Sequence, residues 1–120
     1  MATLKVGIAS YDEMKERTMR IARGAQPSVR GEPKVWFPST ESFAKVLSAG
    51  NRELLRIIAD KAPRSLDELA QLTGRRKSNL SRTLKTMEAY GLVRLERGER
   101  GRLAPKVIHD RVELDLPLTR

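Results

Sequence analysis

The stretch that decides the reading is GRRKSNLSRTLKTMEAYGLVRLERGERGR, residues 74–102. Glycine opens it and three cations follow. Leu80, Leu84 and Met87 then recur at helical spacing until Gly91 stops the pattern. Beyond that stop, LVRLE and RLAPKVI flank the glycine-bracketed RGERG, the pattern of a two-stranded ribbon. A run of cations on the first turns of a helix is opposed by the helix macrodipole. Something other than helix stability must account for it.

Upstream, Ser65 begins SLDE, a capping box, with Leu66, Leu69 and Leu72 behind it and Gly74 at its end. A short capped helix thus joins a longer basic helix through a glycine, the helix-turn-helix arrangement, and the following ribbon makes a winged version of it. Further back, Asn51 reads as the cap of RELLRIIADKA, whose apolar face is Leu54, Leu55, Ile57 and Ile58 and which Pro63 closes. Ser39 or Thr40 caps a helix carrying Phe43, Val46 and Leu47.

At the N-terminal end, residues 2–9 suit a short strand, and Ser10 opens a second capping box, SYDE, with Glu13 at its third helical position. Met14, Thr18, Ile21 and Ala22 follow at helical spacing, and Gly24 is the expected stop. Residues 25–34, with two prolines and a glycine, read as a loop, and VWFPS as a brief extended piece. The tail RVELDLPL alternates and suits a last strand with Pro117 at its edge or end.

The expected fold is therefore mainly α with a small β component: a winged helix-turn-helix carrying an N-terminal strand-helix extension. The expected division is 1–38 for the extension and linker (a dimer or partner arm), 39–108 for the DNA-binding domain and 109–120 for a C-terminal strand or tail.

Composition narrows the function. The 120 residues are one domain's worth of chain, and 24 Lys+Arg against 15 Asp+Glu give a formal charge of +9. That balance favours polyanionic partners. The absence of cysteine removes disulfides, thiolate metal sites and cysteine nucleophiles, and the single histidine, His109, cannot form a histidine metal cluster. No metal, cofactor or catalytic site is expected, and no enzyme. His109-Asp110 has no nucleophile pattern beside it and reads as a partly buried or surface histidine, while Trp36 and Phe37 read as core rather than as a partner anchor. No run approaches 18 apolar residues, and the N-terminus has no long apolar core, so neither a membrane span nor a signal peptide is read. A cytoplasmic, prokaryotic, nucleoid-associated protein is the expectation.

Over SLDELAQLTGRRKSNLSRTLKTMEAYGLVRLERGERGR the chain resembles the winged helix-turn-helix transcriptional regulators of bacteria and archaea, the group that includes MarR-like and ArsR-like repressors. The carrying residues are Leu69-Ala70 in the first motif helix, Gly74 in the turn, Ser78-Asn79 at the second helix start and Tyr90 to Val93 at its exit. VGIASYDEMKERTMRIARG and VIHDRVELDLPL are similar to a narrower set of small DNA-binding regulators, some antitoxin-like. The resemblance implies a regulator that reads DNA with the second helix and the wing. Without cysteine it does not extend to metal sensing. The chain also lacks the long flanking dimer helices of MarR-type regulators, so their ligand pocket does not carry over.

The residues expected on DNA follow from helical periodicity. With Leu80, Leu84 and Met87 inward, Ser78, Arg82, Lys85 and Ala89 lie opposite, Arg75, Asn79 and Thr86 to one side, and Ser81 between the faces. Small residues at 78, 79 and 81 let a helix sit deep in a major groove, where Arg82 can reach guanine and Asn79 adenine. Arg75, Arg76 and Lys77 are placed for phosphates, and Arg97, Arg100 and Arg102 ride on the ribbon tip towards the backbone or a minor groove. Residues 64–106 hold eleven cations (Arg64, Arg75, Arg76, Lys77, Arg82, Lys85, Arg94, Arg97, Arg100, Arg102, Lys106) against five acids, and ten of the eleven follow Gly74. Such ordering sets this run apart from an ordinary solvated face.

The leading expectation is a sequence-specific regulator of double-stranded DNA, a repressor by operator occupancy, needing no cofactor. Two alternatives stand beside it: an antitoxin-like module that neutralises a toxin-like protein partner and autoregulates, and an architectural DNA- or RNA-binding domain. A homodimer reading a pseudo-palindromic site is expected, because one such module contacts few base pairs and isolated terminal strands would leave unpaired edges.

Overall fold

The computed structural model describes residues 2–22 and 33–119. Along the chain these form β1 (Ala2–Ile8), α1 (Tyr11–Ala22), β2 (Val35–Phe37), α2 (Thr40–Val46), α3 (Ala49–Lys61), α4 (Leu66–Thr73), α5 (Lys77–Ala89), β3 (Val93–Arg97), β4 (Leu103–Val107) and β5 (His109–Asp115).

The termini do not stand apart from the rest. β1 is the central strand of a three-stranded sheet ordered β2–β1–β5, and both neighbours run parallel to it. Val6 lies beside Val35 and Ile8 beside Phe37 on one side, and Leu4 beside Val112 and Val6 beside Leu114 on the other. Parallel neighbours require a crossover, and α1 lies within the one between β1 and β2. A Cβ added to Gly7 would lie 2.5 Å from Trp36 Cζ3, so the indole packs directly on the Gly7 backbone, its register partner.

This sheet overturns the expected fold class. The described residues are about 50% helical and 26% strand, and their β content is a parallel sheet in addition to the antiparallel β3–β4 ribbon. It is a mixed α and β fold rather than a mainly helical one with a terminal extension. The physical reason is separation along the chain: Leu4 and Val112 pair across more than a hundred residues, and no local pattern announces such a partner. The terminal strands are therefore not isolated: β1 is paired on both edges, and β5 on one.

One core joins the sheet to the helices. Leu4, Val6 and Phe37 pack with Leu54 and Ile58 of α3, Leu66 and Leu69 of α4, Leu80, Leu84 and Met87 of α5, and Leu92 and Val93 beyond it. Phe37, fully buried, stacks on Tyr90 at 4.0 Å between ring centroids and meets Phe43 edge-on at 5.2 Å. It therefore clamps the end of β2 to the exit of α5 and to α2.

Capping follows the serines. Ser10 and Glu13 exchange side-chain-to-backbone bonds at the start of α1, and Ser39 caps α2 through Ser42 N–H. The cap of α3 is Ser48 and not Asn51: the Asn51 N–H donates to Ser48 Oγ, while Asn51 Nδ2 reaches back to the Val46 carbonyl at 3.0 Å. Both residues of SAGN are good caps, and the tie to α2 selects the first. Along α1, Met14 is half-buried, whereas Thr18 and Ala22 are exposed, so those two members of the expected stripe are not core. The Ile21 side chain, the stop at Gly24 and the loop 25–32 lie outside the described residues.

Candidate nucleic-acid interface

The geometry between α4 and α5 is set by a few local bonds. Ser65 Oγ accepts the Glu68 N–H at 3.0 Å, and Glu68 Oε2 accepts from the Arg64 N–H at 3.4 Å, a capping box displaced by one residue. Gly74 ends α4 at φ 75°, its N–H bonded to the Ala70 carbonyl at 2.8 Å. A Cβ there would meet nothing within 4 Å, so the glycine is required by backbone conformation alone. Thr73 Oγ1 donates to the Leu69 carbonyl and accepts the Arg75 N–H, closing the turn.

α5 presents the face that periodicity gives it. Leu80, Leu84 and Met87 are completely buried, and Arg76, Lys77, Ser78, Asn79, Arg82, Lys85, Thr86 and Ala89 are exposed, with Ser81 intermediate. Arg76 occupies the cap position of α5 without a side-chain capping bond, and no acid lies in the first turn. The orphan N–H groups there have no side-chain acceptor of the kind serine supplies to α2, α3 and α4.

Two of the expected phosphate-facing cations have protein partners. Arg75 donates to Asn51 Oδ1 at 3.1 Å and to the Gly50 carbonyl at 3.0 Å, bracing the start of α3 rather than standing free. Lys77 lies 3.2 Å from Asp67 Oδ1, but both groups are more than half exposed, and such surface pairs are worth about 0–1 kcal/mol. Lys77 can exchange that carboxylate for another anion at little cost; Arg75 cannot leave without freeing Asn51.

The exit of α5 is fastened to the ribbon. Gly91 sits at φ 77°, Glu88 Oε2 accepts the Leu95 N–H at 2.9 Å, and His109 Nδ1 donates to the Gly91 carbonyl at 2.9 Å. His109 is thus a half-buried link between β5 and the helix exit. β3 and β4 pair antiparallel from Val93–Val107 to Arg97–Leu103. The Gly98 N–H closes the tip onto the Arg102 carbonyl at 2.7 Å. At that tip Arg100 adopts φ 59°, a left-handed conformation that costs a non-glycine residue about 1–2 kcal/mol.

The fold also assembles a cleft that the sequence does not announce. Between the start of α4 and the ribbon lies a space of about 510 Å³ bordered by Arg64, Arg97, Arg100, Arg102 and Lys106, with Glu68 and Glu96 as its acids. Glu96 is already paired with Arg94 at 3.0 Å. Arg97, Arg100 and Arg102 were expected at the tip. Lys106 lies on β4 of the same ribbon, whereas only the packing of the ribbon against α4 brings Arg64 beside those three. Five cations around one cleft make a positive potential suited to phosphate.

Among the described residues, no group of three or more His, Asp or Glu is placed to hold a metal ion, and no helix is long and apolar enough to cross a membrane. No curated protein and no solved structure matches the chain. The model of the HVO_A0114 family matches residues 46–114, from the end of α2 into β5 and so over the whole surface just described, and the chain belongs to the HVO_A0114 family.

Proposed function

We propose that this protein is a sequence-specific double-stranded DNA-binding transcriptional regulator that represses by occupying its operator. The observation that carries the reading is the exposed face of α5, where Ser78, Asn79, Arg82, Lys85 and Thr86 stand over a fully buried Leu80–Leu84–Met87 backing. A rigidly backed helix of about 10–12 Å diameter matches a major groove. Ser78 and Ser81 permit close approach, Arg82 is the candidate for guanine O6 and N7, and Asn79 for adenine N6 and N7. Phosphates near Arg76 and Lys77 would accept from the first-turn N–H groups and offset the macrodipole, which explains cations at that helix start. The ribbon cations Arg97, Arg100 and Arg102 follow the backbone or enter the minor groove, with Arg64 and Lys106 beside them. The role requires neither catalysis nor a cofactor.

Selection of bound fragments from a random duplex library tests this reading. An enriched motif of a few base pairs per half-site is expected; recovery of unbiased sequence, or of none, would overturn it.

A further inference from the structure

β5 has one partner. Its inner edge pairs with β1 through six residues, with a bulge at Asp110, and among the described residues no strand pairs with its outer edge. An exposed strand of that length is a template for another strand. The residues on it decide which one. We infer that the outer edge of β5 pairs antiparallel with β5 of a second copy of this chain, about a two-fold axis at Val112, extending two three-stranded sheets into one of six.

The register follows from charge. Centred on Val112, the pairing sets Arg111 against Glu113 twice, and it places no like charges opposite one another. Every neighbouring register fails. A centre at Arg111 sets that arginine against itself, and a centre at Glu113 does the same for the glutamate. The half-steps would set residues of opposite sheet faces across from one another, which the pleat forbids. Of the three registers centred on residues 111 to 113, only that at Val112 is free of repulsion, and it carries two complementary contacts.

Apolar surface points to the same occupant. Leu114 and Leu116 are 38% and 42% exposed just beyond Val112, which packs against the core. Beside β5 runs a groove of about 800 Å³ whose apolar lining includes Phe43, Leu47, Leu55, Leu92, Val107 and Val112. Leu114 shares the sheet face of Val112, and in the Val112 register the partner's Leu114 reaches the bulge at Asp110. That leucine is thereby carried to the border of the groove, which Asp110 lines. Two-fold closure also consumes the edge on both copies, so the assembly stops at a dimer. The inference is independent of DNA binding.

Sedimentation of the full chain at micromolar concentration tests it. The parent is expected to be a dimer. Arg111→Glu and Glu113→Arg should each weaken it about tenfold or more, because each change makes two like-charge contacts across the axis. Mixed in equal amounts the two variants should form a heterodimer, since residue 111 of each then faces its opposite charge at 113 of the other. Within its own sheet Arg111 lies beside Thr3, whereas Glu113 lies beside Lys5. Arg111→Glu therefore tests the contact even if Glu113→Arg disturbs the fold, which circular dichroism would reveal. A parent that stays monomeric at tens of micromolar, undiminished dimers of Arg111→Glu, or two well-folded monomeric variants that do not associate when mixed would each overturn the inference.

Discussion

Replacing Phe37 separates two accounts of how the parallel sheet is attached. If Phe37 is the clamp between β2, α2 and the exit of α5, its removal must cost more than that of an ordinary edge residue. The side chain has no solvent exposure and two ring partners, Tyr90 stacked at 4.0 Å and Phe43 edge-on at 5.2 Å. Phe37→Ala should destabilise by about 3–5 kcal/mol, the range for a buried phenylalanine. Phe37→Leu keeps most of the apolar volume and loses chiefly the two ring pairs, at about 0.5–1.5 kcal/mol each, or about 1–3 kcal/mol together. Against a total stability of about 5–15 kcal/mol, either loss is measurable by urea unfolding. Trp36, the only tryptophan, sits beside Phe37 and reports on the sheet by fluorescence, while far-ultraviolet circular dichroism reports on the five helices. The two transitions should coincide in the parent, because one core spans both parts. A Phe37→Ala cost below about 1 kcal/mol, or two separate transitions in the parent, would refute the clamp.

Gly7→Ala should cost about 1–3 kcal/mol and shift Trp36 emission, because the new Cβ falls 2.5 Å from the indole; unchanged emission would place the ring elsewhere. Arg100→Gly should leave thermal stability unchanged or raise it by up to about 1 kcal/mol, since glycine accepts φ 59° without strain, yet weaken duplex binding to all sequences alike. Weakened folding would show that the tip strain is not local. Arg82→Ala and Asn79→Ala should each lose about 1–3 kcal/mol of discrimination between the selected site and a scrambled one, measured by competition; equal discrimination would remove that residue from base reading.

Much of the candidate interface is legible in the sequence because its determinants are local. Capping serines, Gly74, Gly91 and the Leu80–Leu84–Met87 spacing each act within a turn or two, and each is found where its chemistry places it. What the sequence hides is long-range. The pairing of β1 with β5, the diversion of Arg75 to Gly50 and Asn51, and the arrival of Arg64 beside the ribbon all depend on residues far apart in the chain. The choice of Ser48 over Asn51 as a cap is a smaller case, settled by an Asn51 side chain that bonds back to α2.

The most direct test of the central claim is the salt dependence of binding to a selected duplex, followed by fluorescence anisotropy from low to moderate ionic strength. About six phosphate contacts from α5 and the ribbon should give a slope near −5 for the logarithm of affinity against the logarithm of salt concentration. Loss of Arg97, Arg100 or Arg102 should each make it shallower by about one. A slope near zero, or no binding at low salt, would contradict the assignment of this surface to DNA.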